Sequence, residues 1–373
     1  MTETPVWQEP EIALDEGRVE FPCTNCGAKM HWDPESDALG CDYCGARVPV
    51  PRSEGTIVER PIEEADSAAR GLGLDYRAVK CQNCGAKVDF DDSVTSTVCA
   101  YCGSASVLEQ EANRNALRPE SIVPLAVGRE RVHAEFRKWV QGLWFRPNAL
   151  KQTDRFDAIG LYAPFWTYDC DVHSDWSADA GHYYYETRRV TVMVNGKPQT
   201  RTQQVRKVRW VPAWGRRDDV FDDILICGSA GLSENLLAKL GDFNLGALVP
   251  YRPEYLAGWR AEEYSIGLLD GWKRAEQYVE RRQRERCGRD VPGDTHRNLR
   301  VKNTVRDIRW KHALLPVWSL QYRFRGKVYT VMVNGQTGHV VGKAPISWVK
   351  VIMLVLFIAL VIGGIVFVSQ SAR

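Results

Sequence analysis

Eight of the 11 cysteines stand in four Cys-x-x-Cys pairs: Cys23/Cys26, Cys41/Cys44, Cys81/Cys84 and Cys99/Cys102. In both halves of the set 14 residues separate the second cysteine from the third, and the second module repeats the first at an offset of 58. A Cys-x-x-Cys turn aims two thiolates at one ion, and two such turns complete a tetrahedral shell of the kind structural zinc occupies. Four thiolates leave no open coordination position, so the expected cofactor is two structural Zn²⁺ ions that do no catalysis. Gly27, Gly45, Gly85 and Gly103 follow the pairs and supply the positive φ such knuckles need. Each module is too short to bury a core of its own. Metal binding, on the order of 10–16 kcal/mol in finger peptides, is then the expected source of folding energy. Disulfides or an iron–sulfur centre are the competing readings of the same pairs. His31 lies inside the first spacer and reads as a hairpin residue, while Cys170, Cys227 and Cys287 read as small buried apolar side chains.

The other chemically marked segment is apolar. Val351 to Val368 carries no charge or strongly polar group and, at 1.5 Å per residue, spans roughly 27 Å, close to the hydrocarbon thickness of a bilayer. Trp348 and Lys350 sit where an interfacial aromatic and a snorkelling cation belong, so Trp348, Lys350, Val351 and Val368 delimit the expected membrane anchor. Arg323, Arg325, Lys327, Lys343 and Lys350 precede the helix and Arg373 alone follows it. The positive-inside rule then predicts a single-pass, tail-anchored protein of the cell (inner) membrane with its large N-terminal part in the cytoplasm. The first 22 residues, with Glu3, Glu9, Glu11, Asp15, Glu16 and Glu20, are too acidic for a secretory signal, which agrees with reduced cysteines. Ala359 and Gly363 form a small-xxx-small pair that makes self-association an expected contact.

Charge divides the 373 residues unevenly. Residues 1–110 carry 9 basic and 20 acidic side chains, a net of −11, and residues 111–373 carry 40 and 27, a net of +13. Duplex nucleic acid is bound through cations that displace counterions, so the ribbon half should repel it. Only the arginines at 274, 281, 282, 284, 286, 289, 297 and 300 keep nucleic acid in play. Those arginines read first as a solvated helix face laced by Glu276, Glu280 and Glu285, and second as a contact for anionic headgroups.

The elements that must position these residues are mixed. Val132, Phe136, Trp139, Val140 and Leu143 predict a helix between Gly128 and Trp144, and further helices are expected over Leu232–Leu240 and Asp270–Cys287. Strands are expected at Tyr183–Val194 and Val205–Val211 around the turn Asn195-Gly196, and at Val328–Val333 running through Asn334-Gly335 into His339–Val341. Val-Met-Val-Asn-Gly occurs at 192–196 and 331–335, and Pro-x-Trp at 164–166, 212–214 and 316–318. These repeats predict a duplicated β-meander with its tryptophans in the core. The fold class is therefore α+β and multidomain. The expected order is a disordered stretch 1–20, zinc ribbon 21–50, linker 51–78, zinc ribbon 79–108, linker 109–120, a β-rich α+β domain 121–345, a transmembrane helix 347–369 and a tail 370–373. Deleting 1–110 is expected to remove the recruiting module and leave attachment intact.

Twin ribbons, Pro253-Glu254-Tyr255-Leu256-Ala257-Gly258, Leu315-Pro316-Val317-Trp318, Val333-Asn334-Gly335-Gln336-Thr337-Gly338 and a closing apolar helix occur in that order. This combination resembles a family of bacterial zinc-ribbon membrane proteins that accompany SPFH-domain (flotillin-like) proteins and phage-shock-protein-A relatives. The resemblance implies a non-enzymatic membrane scaffold that recruits such peripheral partners during membrane stress. It supplies no catalytic residues. Members are often labelled as related to the primosomal replication-restart helicase, but Gly196-Lys197, Gly326-Lys327 and Gly342-Lys343 lack the glycine and hydroxyl of a phosphate loop. No His-Glu-x-x-His, nucleophile elbow or dinucleotide fingerprint is present either, and Asp218-Asp219 and Asp222-Asp223 read as turn or loop residues. An enzyme is not expected, and a membrane-associated nucleic-acid binder is the alternative.

Overall fold

The computed structural model describes residues 21–52, 57–68, 77–90, 99, 101–102, 104, 107–111, 116–147, 157–194, 197–232, 234–324 and 327–371. The stretch 1–20, Gly103 and the Asn195-Gly196 turn lie outside them. Short strands β1 (His31–Asp33), β2 (Ala38–Gly40) and β3 (Arg47–Pro49) form the sheet of the first ribbon, followed by β4 (Arg60–Pro61). The second ribbon brings β5 (Arg77–Cys81), β6 (Lys87–Phe90) and β7 (Val107–Glu111). Then come β8 (Ser121–Ile122), α1 (Arg129–Gly142) and two very long strands, β9 (Asp157–Val194) and β10 (Lys197–Cys227). After α2 (Glu234–Leu240), β11 (Val249–Pro250), β12 (Arg260–Glu263) and α3 (Leu268–Asp290) runs a third long strand, β13 (Thr295–Phe324). The chain closes with β14 (Lys327–Asn334), β15 (Val340–Gly342) and α4 (Trp348–Ser371).

The mixed α+β class holds, with two cysteine clusters, a β-rich sheet and one apolar C-terminal helix. At about 3.3 Å per residue the 38 residues of β9 amount to roughly 125 Å of extended chain. Alternation explains how it stays a strand. Tyr168, Cys170, Val172, Ser174, Trp176, Ala178 and Ala180 are buried, whereas Asp171, Asp175 and Ser177 between them are exposed. The face of β9, β10 and β13 that these residues share is covered by α3, whose buried stripe is Leu268, Gly271, Ala275, Val279, Gln283 and Cys287. Pairing of β13 with β9 begins at Thr295↔Gly181, so beyond Gly181, among the described residues, only β10 accompanies β9, up to Lys197↔Val194. No described side chain of that distal hairpin, 182–191 and 198–209, is buried.

The duplicated meander does not form. The second Val-Met-Val-Asn-Gly ends the buried strand β14 and leads into β15, but the first ends an exposed two-stranded arm. The Pro-x-Trp motifs at 164–166 and 316–318 instead face each other on β9 and β13, with Pro316↔Tyr162 and Pro164↔Leu314. Trp166 and Trp318 are core residues, while Trp214 is 78% exposed because α3 covers the opposite face. The expected linkers carry structure as well: Arg60–Pro61 pairs with Arg309–Trp310, and Ile62–Ser67 forms a 3₁₀ turn. Cys170, Cys227 and Cys287 are buried, and α1, α3 and the β14–β15 turn fall where periodicity and Asn-Gly place them.

Candidate metal centres

Both ribbons use the same backbone device. Gly27 N–H donates to Cys23 O (2.8 Å) and Cys23 N–H to Ala28 O (2.7 Å); Gly45 and Cys41 repeat this at 2.9 Å each. In the second ribbon Gly85 N–H reaches Cys81 O at 3.0 Å and Cys81 N–H reaches Ala86 O at 2.9 Å. The turn requires positive φ, and Gly27, Gly45 and Gly85 have φ of 73°, 72° and 80°. The β1–β2 hairpin, with His31 paired to Gly40, returns the second knuckle onto the first.

The four sulfurs of each set lie within 4.8 Å of one another. Cys23 to Cys44 is 3.5 Å, and Cys26–Cys41, Cys81–Cys102 and Cys84–Cys99 are each 3.6 Å. A tetrahedron with 2.3 Å Zn–S bonds has edges of about 3.8 Å, so all eight predicted ligands are assembled and the donor sets fit a closed metal shell. Thiolate character is already favoured at one sulfur of each. The Ala46 N–H and the Asn25 side chain hold Cys44 down at about 6. The Cys84 thiol holds Cys99 down at about 5 and is itself pushed up in return.

The seats of the two ribbons differ. Trp32 is fully buried, donates from Nε1 to Leu125 O (3.2 Å) and meets Tyr255 edge-on at 4.8 Å. Trp259 Nε1 donates to Trp32 O at 2.8 Å, and Trp32 N–H to Ala257 O at 2.9 Å. The Pro253–Gly258 segment is thus the seat of the first ribbon, and Gly258 (φ 77°) is needed because a Cβ there would stand 2.7 Å from His31 Cβ. The second ribbon joins the main sheet through β6, which pairs with β12. It is also pinned by Tyr101, whose hydroxyl donates to buried Glu262; Ser229 Oγ donates to the other carboxylate oxygen at 2.7 Å. Tyr43 holds the same position in the first ribbon, between Asp42 and Cys44, yet is 85% exposed. Its chain neighbour Asp42 lines a cleft of ≈ 460 Å³ together with Asp33, Glu35 and Glu130 and with the cationic Arg129 and the imidazole of His31.

The residues expected to delimit the anchor gather with side chains that hydropathy alone does not mark. The 18 residues Trp348–Ile365 are long and apolar enough to cross a bilayer, and none of them is buried. Trp348 is 69% exposed and sits in the chain beside Lys350, whose ammonium is bonded to Trp144 O (3.2 Å) and Arg146 O (2.8 Å). Ser347 N–H donates to Phe145 O at 2.8 Å and Arg146 Nη1 to Ala344 O at 2.5 Å. Exposed Trp144 and Phe145 therefore lie at the start of α4. The backbone of α4 runs through Val351 and Val368 to Ser371.

Asp218-Asp219 and Asp222-Asp223 are strand residues of β10, not solvated loops; a bulge falls between Phe221 and Ile224. Asp169, Asp222 and Asp223 bring carboxylates within 4.8 Å of one another. A cation already sits there: Lys311 Nζ lies 2.7 Å from Asp223 and 2.8 Å from Glu59. Burial, with the charges of Glu59 and Asp223, pushes Asp169 up to about 7.

No family model matches the chain, and no solved structure matches it. The chain is 28% identical over 340 residues to YdjG of Bacillus subtilis (strain 168), described as an uncharacterized protein. The likeness covers 89% of this chain and 92% of the relative, so it takes in the second ribbon and the sheet together.

Proposed function

We propose that the chain is a non-enzymatic, membrane-anchored zinc-ribbon scaffold that recruits peripheral proteins of the SPFH/flotillin-like or phage-shock-protein-A-like kind in membrane stress or organisation. The observation that carries this reading is the contrast between two equivalent tyrosines. Tyr101 locks the second ribbon into the sheet, whereas Tyr43 is exposed and is followed back along the chain by Asp42, which lines a cleft with three further carboxylates and Arg129. Exposed aromatics anchor protein interfaces more often than most residue types, and the acidic rim suits a basic partner segment. Zn²⁺ held by Cys23, Cys26, Cys41 and Cys44 would stiffen that knuckle; Cys81, Cys84, Cys99 and Cys102 would stiffen the second. In the same reading α4 crosses the inner membrane once, Trp144, Phe145 and Trp348 lie at the interface, and the ribbons face the cytoplasm.

The test is affinity purification from gently solubilised, nuclease-treated membranes, wild type against Tyr43→Ala, with zinc content measured on both. Loss of an SPFH-like or phage-shock-type partner at unchanged zinc supports the scaffold. Equal recovery from the variant contradicts it. Truncation of 1–110 is a poor test, because it strips β5, β6 and β7 from the sheet and uncovers the core around Trp32. One feature favours the alternative, a nucleic-acid binder. The exposed distal hairpin carries Arg188, Arg189, Arg201, Arg206, Lys207 and Arg209 against Glu186. Partners recovered only when nuclease is left out would shift the assignment to that hairpin.

A further inference from the structure

The cations of α3 divide by the direction they face. Lys273 is 2.8 Å from Asp270, Arg282 is 3.3 Å from Glu285, and Arg286 is 2.9 Å from Asp219. Arg281, Arg284 and Arg289 occupy the side turned toward the start of β13, and none of them has an ion-pair partner among the described residues. With His296, Arg297, Asn298, Leu299 and Gly288 they line a cleft of ≈ 560 Å³. Its one carboxylate, Glu285, is the residue that Arg282 engages.

Three features make this cleft more than a charged surface. Arg297 is held in place: its Nε donates to Asp179 Oδ2 (3.1 Å), and its guanidinium lies 4.2 Å from the Trp210 ring centre. Asn298 donates to the same carboxylate oxygen at 2.8 Å, from a backbone with φ of 55°. Gly288 lets His296 approach the helix, since a Cβ there would stand 3.2 Å from the imidazole. Arg281 and Arg284 are three residues apart on one helix face, and Arg289, five residues further on, joins them in the cleft lining. The like charges of Arg281 and Arg284 repel by a few tenths of a kcal/mol, and an anion of several charges removes that repulsion. Guanidinium forks match phosphate oxygens two at a time.

We infer that the cleft between α3 and the start of β13 is a binding site for a phosphate-bearing group, taken by Arg281, Arg284, Arg289 and the pre-set Arg297. The group is either a soluble oligophosphate or the headgroup of an anionic phospholipid. The site stands apart from the ribbons, so it holds or fails independently of the scaffold reading.

Binding is measured on the full chain. The soluble arm uses tripolyphosphate and calorimetry on detergent-solubilised protein. The lipid arm compares affinity for phosphatidylglycerol and phosphatidylcholine nanodiscs. Arg281→Gln/Arg284→Gln is expected to weaken binding at least tenfold in the arm that supplies the ligand. Lys273→Gln, on the same helix but outside the cleft and paired with Asp270, is expected to stay within twofold, with both melting temperatures near wild type. If the double variant is unstable, Arg289→Gln alone is read for a loss of threefold or more. No saturable binding in either arm, or equal loss in Lys273→Gln, overturns the site. Binding of a single-stranded oligonucleotide through these arginines, with no tripolyphosphate or headgroup effect, overturns it in favour of nucleic acid.

Discussion

Replacing Lys311 with methionine should loosen the junction between the segment joining the ribbons and the long sheet, and should do so in a pH-dependent way. The ammonium is only 7% exposed and is shared by Glu59 (2.8 Å) and Asp223 (2.7 Å), which are 252 and 88 positions away in the chain. Asp169 lies in the same cluster and accepts the Asp223 N–H at 2.6 Å. Removing one member of a buried pair costs about 3–5 kcal/mol because the other is left uncompensated. Glu59 and Asp223 keep 36% and 32% of their side chains exposed, so water screens them and the lower end, about 3 kcal/mol, applies. At about 2–4 °C per kcal/mol for a domain of this size, melting should fall by roughly 6–12 °C at pH 8.

The pH sign follows from the carboxylates. The hydrogen bond and charge of Lys311 hold Glu59 below its usual range, so its contribution is present above its unfolded value and is lost as pH falls. Asp169 is already raised to about 7, mainly by burial, and without the ammonium its ionised form is disfavoured further. Raised carboxylates cost stability as pH climbs, so the gap between variant and wild type should be widest at pH 8 and should narrow toward pH 5. Scanning fluorimetry of the detergent-solubilised chain at both pH values reads this directly. A shift below 2 °C at pH 8, or a shift as large at pH 5, would show that Lys311 does not hold this junction through its carboxylate partners.

Three other perturbations follow from the same geometry. Cys26→Ser should lower the zinc content from two ions per chain to one, open 21–50 to protease and, because Trp32 leaves the core with that segment, lower the melting temperature; mass spectrometry of metal, limited proteolysis and scanning fluorimetry check this. Gly160→Ala would place a Cβ 2.3 Å from the Trp259 ring, which is fixed by its bond to Trp32 O, and should cost about 1–3 kcal/mol in denaturant titration. Burial holds His312 down at about 4, so the stability it contributes is complete above its unfolded value of about 6.5 and is lost as pH falls toward 4. About 2 kcal/mol of the decline from pH 7 to 5 should disappear in His312→Gln, read from urea midpoints at the two pH values.

What could be read from the sequence is what local spacing dictates. A tetrahedral shell demands Cys-x-x-Cys at each corner, and a helix on a sheet demands the Val132, Phe136, Val140 stripe or its counterpart on α3. The length of the three great strands was hidden for a physical reason. Their outer face alternates Asp and Arg with the buried residues, and Pro164, Pro212 and Pro316, ordinary marks of a turn, lie inside the strands. The seats of the ribbons were illegible because they rest on pairs far apart in the chain, such as Trp259 with Trp32 or Tyr101 with Glu262. Nor does sequence tell a buried Lys311 from a solvated one. The Val-Asn-Gly-Gln-Thr-Gly motif turns out to be a structural turn, with Asn334 Oδ1 accepting from Gln336 N–H (2.9 Å) and Thr337 N–H (3.1 Å).

The exposed knuckle of the first ribbon is the recruiting surface of the proposed scaffold, and site-specific photo-crosslinking in intact membranes tests that role. A benzophenone amino acid is placed at Tyr43 and, as a control on the distal hairpin, at Tyr185, which is 63% exposed. The expected result is a protein adduct from position 43, identified as an SPFH-like or phage-shock-type partner, that is absent from position 185. Adducts from 185 to nucleic acid or its binding proteins, with none from 43, would contradict it.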